Sequence, residues 1–105
     1  MIDLSTLSFD ESGLIPVVVQ DESTKDVLML GYANRETLEE TLETGRMVFF
    51  SRSRQQRWLK GETSGNFLHV KNIAADCDQD ALLVTAHPAG PTCHLGSTTC
   101  FGANS

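Results

Sequence analysis

Apolar positions fall into short runs separated by polar punctuation, and their period changes along the chain. Leu14-Ile15-Pro16-Val17-Val18-Val19-Gln20 is apolar and β-branched, Asp21 to Asp26 is polar, and Val27-Leu28-Met29-Leu30-Gly31-Tyr32 is apolar again. Two such runs around a polar turn predict a strand hairpin, with Pro16 near a strand start or on an edge, since it cannot donate to a ladder. The period then becomes helical. Asn34 can cap, Glu36 lies in the first turn, Leu38 and Leu42 recur at i and i+4, and Gly45 can supply a left-handed stop. These signals predict one amphipathic helix over 35–44, with Glu39, Glu40 and Glu43 on a solvated face.

Met47 to Ser51 predicts a strand, Arg52 to Gln56 a turn, Arg57 to Leu59 the return strand, and Gly61 to Asn66 a loop of small polar residues. Phe67 to Ala75 and Ala81 to Ala86 predict two more strands, and the Gly, Pro, Ser and Thr content from Pro88 onward predicts a loop. The expected fold class is therefore α+β and β-rich: a small twisted antiparallel sheet with one short helix.

A length of 105 residues fits one small domain, 1–105. Met1-Ile2-Asp3 opens no basic leader with an apolar run, and the longest apolar stretches are far too short to span a bilayer. The expected protein is cytoplasmic, with no membrane association. A net charge of -6 disfavours nucleic acid as a partner. The charge is unevenly spread, because residues 1–45 hold ten acids and two bases, whereas Arg46, Arg52, Arg54, Arg57 and Lys60 crowd into 15 positions. A basic patch on an acidic domain suits a small anionic ligand better than a polymer.

Three cysteines, Cys77, Cys93 and Cys100, argue against a closed disulfide framework and leave thiols available to a metal. Zinc takes thiolate and imidazole ligands, four when structural and three plus water when catalytic. Spacings of 16 and seven residues are not those of a zinc ribbon, so zinc ligands and small buried hydrophobes both remain open. His94 adjoins Cys93, and its near-neutral intrinsic pKa suits a general acid or base; a surface-loop histidine is the plainer alternative.

Asp76, Asp78 and Asp80 alternate around Cys77 and Gln79. In an extended backbone the three carboxylates would share one face, with Cys77 on the other, separating a hard oxygen site for Mg2+ from a soft sulfur site for Zn2+. An EF-hand is excluded by Ala81 where glycine is wanted and His87 where glutamate is wanted. An acidic turn between strands is the alternative.

Arg52, Arg54, Trp58, Lys60, Thr63 and Ser64 combine cations, hydroxyls and an aromatic ring in one glycine-bounded stretch. Such groups hold phosphate and stack on a base or ribose, and they equally compose a solvated hairpin over a core tryptophan.

Taken in order, several of these segments resemble the phosphoribosyl-AMP cyclohydrolases of histidine biosynthesis. The resemblance runs from Gly13-Leu14-Ile15-Pro16 through Phe50-Ser51-Arg52-Ser53, Trp58-Leu59-Lys60-Gly61-Glu62-Thr63-Ser64-Gly65 and Asp76-Cys77-Asp78-Gln79-Asp80 to Gly90-Pro91-Thr92-Cys93-His94 and Cys100-Phe101. It implies an intertwined homodimer with active sites at the subunit interface. One zinc per subunit would be held by Cys77 of one chain and Cys93 and Cys100 of the other, and Mg2+ by Asp76, Asp78 and Asp80.

The implied reaction is hydrolysis of the N1–C6 bond in the adenine ring of 1-(5-phosphoribosyl)-AMP by a zinc-activated water. His94 would move the proton, and Arg52, Arg54, Trp58, Lys60, Thr63 and Ser64 are substrate contacts by their chemistry. Leu95 and Thr99 depart from the family's usual loop residues. Bifunctional relatives continue into a helical pyrophosphohydrolase domain, and nothing helical is expected after Cys100, so that second activity is expected to be missing. Two rival readings remain: a noncatalytic zinc-stabilised module, and a nucleotide-binding regulator with incidental cysteines.

Overall fold

A computed structural model describes residues 2–93, 96 and 98–101. After a single 3-10 turn at Leu4–Thr6, the chain forms β1 (Ile15–Asp21), β2 (Val27–Ala33), α1 (Arg35–Thr44), β3 (Val48–Ser51), β4 (Gln56–Leu59), β5 (Leu68–Ala75) and β6 (Leu82–Pro88). Four strands make a sheet in the order β2-β1-β6-β5, and β3 and β4 pair separately. Among the described residues the architecture is the β-rich α+β arrangement with one α-helix that the apolar pattern predicts.

Strand direction differs from the expectation in one place. The β1–β2, β3–β4 and β5–β6 pairs are antiparallel, but β1 and β6 run parallel, with Val19 opposite Val84, so the main sheet is mixed. Hairpins joined by tight turns must be antiparallel, whereas β1 and β6 are linked through the whole intervening chain, long enough for a crossover.

Alternation along β1 buries Ile15, Val17 and Val19 on the inner sheet face, where they join Leu28, Val84, Ala86, Leu68 and Ile73. α1 and β3 close that face with Leu38 and Phe49. The approach is close at Gly31, where a Cβ would stand 2.6 Å from the Phe49 ring.

The helix begins at Asn34, whose side chain accepts from Thr37 N while Thr37 Oγ1 accepts from Asn34 N, and it ends at Gly45 with φ 77°. Its buried face is Thr37, Leu38 and Thr41, and Leu42 points outward, unlike the i, i+4 leucine pair expected. Thr41 replaces Leu42 because its hydroxyl is fully used. It donates to Thr37 O at 2.8 Å and accepts from Val48 N at 3.0 Å, tying helix to β3. Met47 N donating to Leu68 O at 2.9 Å joins the two sheets, and Lys60 N donating to Met47 O at 3.2 Å closes the open end of the β3–β4 hairpin.

Candidate active site

At the β5–β6 connection, Ala75 pairs with Leu82 and residues 76–81 form a turn. Asp76 organises it: its Oδ1 accepts from the backbone N–H of Asp80 at 3.0 Å and of Ala81 at 3.2 Å. Gln79 takes φ 64°, an uncommon value for a residue with a side chain. Of the two conformations left open for this segment, the turn between strands is the one adopted and the extended backbone is not, driven by the Asp76 side chain competing for backbone donors. The three carboxylates nevertheless converge, with ligand oxygens of Asp76, Asp78 and Asp80 all within 4.8 Å of one another.

The cluster splits the carboxyl pKa values. Desolvation alone would raise Asp76, but the donors from Asp80, Ala81 and Asp78 outweigh it and hold Asp76 below the usual carboxylate range. Asp80 is pushed above that range, first by its hydrogen bond with Asp78, then by desolvation and the neighbouring Asp76. Crowded carboxylates that resist full ionisation are relieved by a hard divalent cation, and an all-oxygen donor set fits magnesium.

Cys77 is exposed in this turn. The other two thiols lie elsewhere and together. Cys100 is anchored by its N–H to Leu28 O at 2.8 Å, and Thr99 Oγ1 donates to Leu28 O at 3.1 Å, pinning the segment to β2. Burial, the charge of Cys93 and a side-chain hydrogen bond with Cys93 push the Cys100 thiol up, while Lys60 pulls it down. Cys93 itself is buried. Two adjacent thiols fit part of a zinc ligand set and fall short of the three or four that zinc takes. Among the described residues, the Asp76, Asp78 and Asp80 cluster alone unites three such side chains; Cys77 does not reach Cys93 and Cys100.

Cys93 forms part of a pocket of about 340 Å³ whose wall also includes Trp58, Lys60, Thr63 and Ser64. A neighbouring hollow of about 530 Å³ shares Trp58, Glu62 and Thr63 and adds Arg54 and Arg57. Trp58 packs on Phe49 with ring centroids 5.6 Å apart and remains 40% exposed.

A family model described as phosphoribosyl-AMP cyclohydrolase matches residues 29–102. The chain belongs to the phosphoribosyl-AMP cyclohydrolase family. It is 61% identical over 90 residues to a histidine biosynthesis bifunctional protein of Escherichia coli (strain K12), covering 86% of this chain and 44% of that protein. Proteins of the same description from Thermus thermophilus and Bacteroides thetaiotaomicron are 59% identical over 100 residues and 56% over 97. These alignments cover 95% and 91% of this chain, and 47% and 48% of the relatives. The chain spans about half the length of the curated relatives it matches.

In this family member the expected substrate contacts divide. Arg54, Trp58, Thr63 and Ser64 line the two adjoining pockets. Lys60 lines the smaller one but turns inward, its Nζ donating to Thr92 O. Arg52 lies apart, its guanidinium 3.8 Å from the Tyr32 ring centroid, beside a hollow containing Asp10 and Asn34. His94 lies outside the described residues.

Three further residues support the site although the sequence does not mark them as site residues. Arg57 is clamped by Glu40, with Nε to Oε1 at 2.6 Å, and reaches Glu62 at 3.6 Å, bracing the hairpin against α1. Thr92 is 1% exposed and its Oγ1 is a buried polar atom with no hydrogen-bond partner among the described residues. Thr99, a departure from the family's usual loop, is an anchor through its hydroxyl. Among the described residues, no helix is long and apolar enough to cross a membrane.

Proposed function

We propose that this chain hydrolyses the N1–C6 bond of the adenine ring of 1-(5-phosphoribosyl)-AMP, giving the formamidino imidazole-carboxamide ribonucleotide in histidine biosynthesis. The observation that carries this reading is the pocket that combines Cys93 with Trp58, Thr63 and Ser64. It joins a soft metal ligand to an aromatic face and hydroxyl donors, the equipment for a phosphorylated purine ligand. The bifunctional histidine-biosynthesis proteins to which the chain is similar support the same activity.

Cys93 and Cys100 from one chain and Cys77 from a second would hold zinc, and Asp76, Asp78 and Asp80 would hold magnesium. When bound, zinc supplies a Lewis acid that makes water a nucleophile near neutral pH. The protein groups do the rest. Trp58 stacks on the purine, and Arg54, Thr63 and Ser64 bind phosphate or ribose oxygens, while Arg57 is already neutralised by Glu40 and Glu62. As water oxygen bonds to C6, His94 takes one of its protons and delivers it to N1 while the N1–C6 bond breaks, and the second proton passes to the exocyclic nitrogen. C6 keeps its exocyclic nitrogen and becomes the carboxamide.

The homodimer has a surface suited to it. Val18 pairs with Leu30 on one side and Leu83 on the other, and Leu83 with Ala74, forming an apolar row across the outer sheet face. Leu30 is 50% and Leu83 41% exposed. A second copy packed on this face with its strands reversed would bring the Cys77 end of one β6 toward the Cys93 end of the other. The test is ring opening followed by absorbance with Zn2+ and Mg2+, for wild type and Cys100→Ser. Turnover by wild type and its loss in the variant are expected; no turnover by folded, metal-loaded wild type would contradict the assignment.

A further inference from the structure

Lys60 is only 9% exposed, whereas Lys25 and Lys71 lie on the surface. Its Nζ donates to Thr92 O and stands 5.5 Å from the Trp58 ring centroid. No carboxylate forms an ion pair with it among the described residues. An ammonium carries three donors and is costly to bury with one neutral acceptor and one ring face, unless an anion lies alongside. Of the acid-forming groups on the pocket wall that Lys60 lines, Glu62 pairs with Arg57, which leaves the Cys93 thiol to Lys60. Its carbonyl partner belongs to the peptide that joins Thr92 to Cys93, and Cys93 shares a pocket wall with it.

We propose that Lys60 is a positioning residue for the Cys93 and Cys100 thiolates: its ammonium offsets their negative charge, and its hydrogen bond to Thr92 O fixes the peptide carrying Cys93. The inference rests on the zinc reading above and deepens it. Three thiolates around a divalent zinc leave one net negative charge, and a fixed cation beside them lowers the cost of gathering them. A lysine serving substrate phosphate instead would affect KM and leave metal affinity unchanged.

The experiment compares zinc affinity, by competition with a chromophoric chelator, for wild type, Lys60→Met and Lys60→Arg as full chains. Lys60→Met keeps the apolar stem and removes the charge, and its expected loss of affinity is about 10- to 100-fold, the usual cost of deleting a group that supports metal ligands. Lys60→Arg is expected to recover part of it. With Co2+ as probe, the sulfur-to-metal charge-transfer band of Lys60→Met should move to longer wavelength, because the thiolate electrons lose a stabilising cation. Zinc-free melting of the variants shows whether each one folds, and a Lys60→Met that does not fold passes the test to Lys60→Gln with the same expectation. One zinc per wild-type chain with unchanged affinity and band in the charge-deleted variant overturns the role of Lys60 alone. A wild type that binds no zinc overturns the metal reading and this inference together.

Discussion

Cys77 and Cys93 flank opposite ends of one strand: Cys77 sits in the turn leading into β6, and Cys93 follows the last residue of β6 by five positions. β6 has seven residues, so at about 3.3 Å per residue its ends stand roughly 20 Å apart. Hydrogen bonds pin both ends. Asp76 shapes the turn before β6, while Lys60 and Leu28 hold the segments bearing Cys93 and Cys100. On the proposed zinc reading, an ion that collects all three thiolates would draw them from two chains.

If the outer sheet face is what joins those chains, Leu83→Asp should produce a folded monomer. Leu83 is already 41% exposed, so the change in a monomer's stability should stay within about 0.5 kcal/mol. Zinc retention and ring opening should both disappear. Sedimentation or light scattering alongside zinc analysis checks this, and a fully active dimer would rule out that face.

Thr92→Val removes a buried hydroxyl that has no partner among the described residues and keeps the side-chain shape. An unsatisfied buried donor costs about 1–3 kcal/mol, so the variant should be as stable as wild type or more so by about 1 kcal/mol in urea melts. Because Thr92 lines the pocket beside Cys93, kcat/KM for ring opening should fall by about tenfold, the worth of one lost hydrogen bond. Stabilisation with unchanged kinetics would make that hydroxyl a packing defect.

Asp78→Asn tests the carboxylate cluster without disturbing Asp76, whose side chain shapes the turn. Wild-type protein should melt at higher temperature as Mg2+ is added, since a ligand that binds only the folded state stabilises it. The variant should lose this response, and its metal-free melting temperature should equal or slightly exceed that of wild type, because one of three crowded charges is gone. An undiminished Mg2+ response would contradict the assignment.

Glu40 is held below the usual glutamate range by its hydrogen bond with Arg57. A depressed carboxyl pKa contributes stability that is present above the unfolded-state value near pH 4.5 and lost as pH falls through the lower folded value. Glu40→Gln should therefore narrow its stability gap from wild type as pH drops below that range. The pair is exposed, so the gap should also shrink at high salt. Urea midpoints across acid pH and ionic strength provide the check.

Much of the fold was legible because local signals agreed. The Asn34 cap, the Leu38 position and Gly45 fixed α1, and β-branched runs around polar turns marked the strands. Leu42 misled because hydrophobicity alone ranks it above Thr41, yet only Thr41 can satisfy both the helix carbonyl and Val48 N. The parallel β1–β6 pair leaves no local mark, since its partners are some 65 positions apart, as Val17 is from Leu82. In the site, residue types identified the carboxylate cluster, but alternation suggested a strand where side-chain capping makes a turn. The chemistry of Lys60 marks it as a phosphate or ribose contact, but its burial has no local mark, because it depends on the loop around Thr92, more than 30 residues later.

Mixing inactive chains tests the account most directly. Cys77→Ala and Cys93→Ala homodimers should each lack a complete thiolate set. A mixed twofold dimer should combine both defects in one site and leave the other intact, so equal random mixing should restore roughly a quarter of wild-type turnover and tight zinc binding. Recovery near that level is the predicted result. Verified mixed dimers that regain neither zinc nor turnover would contradict a site shared between chains.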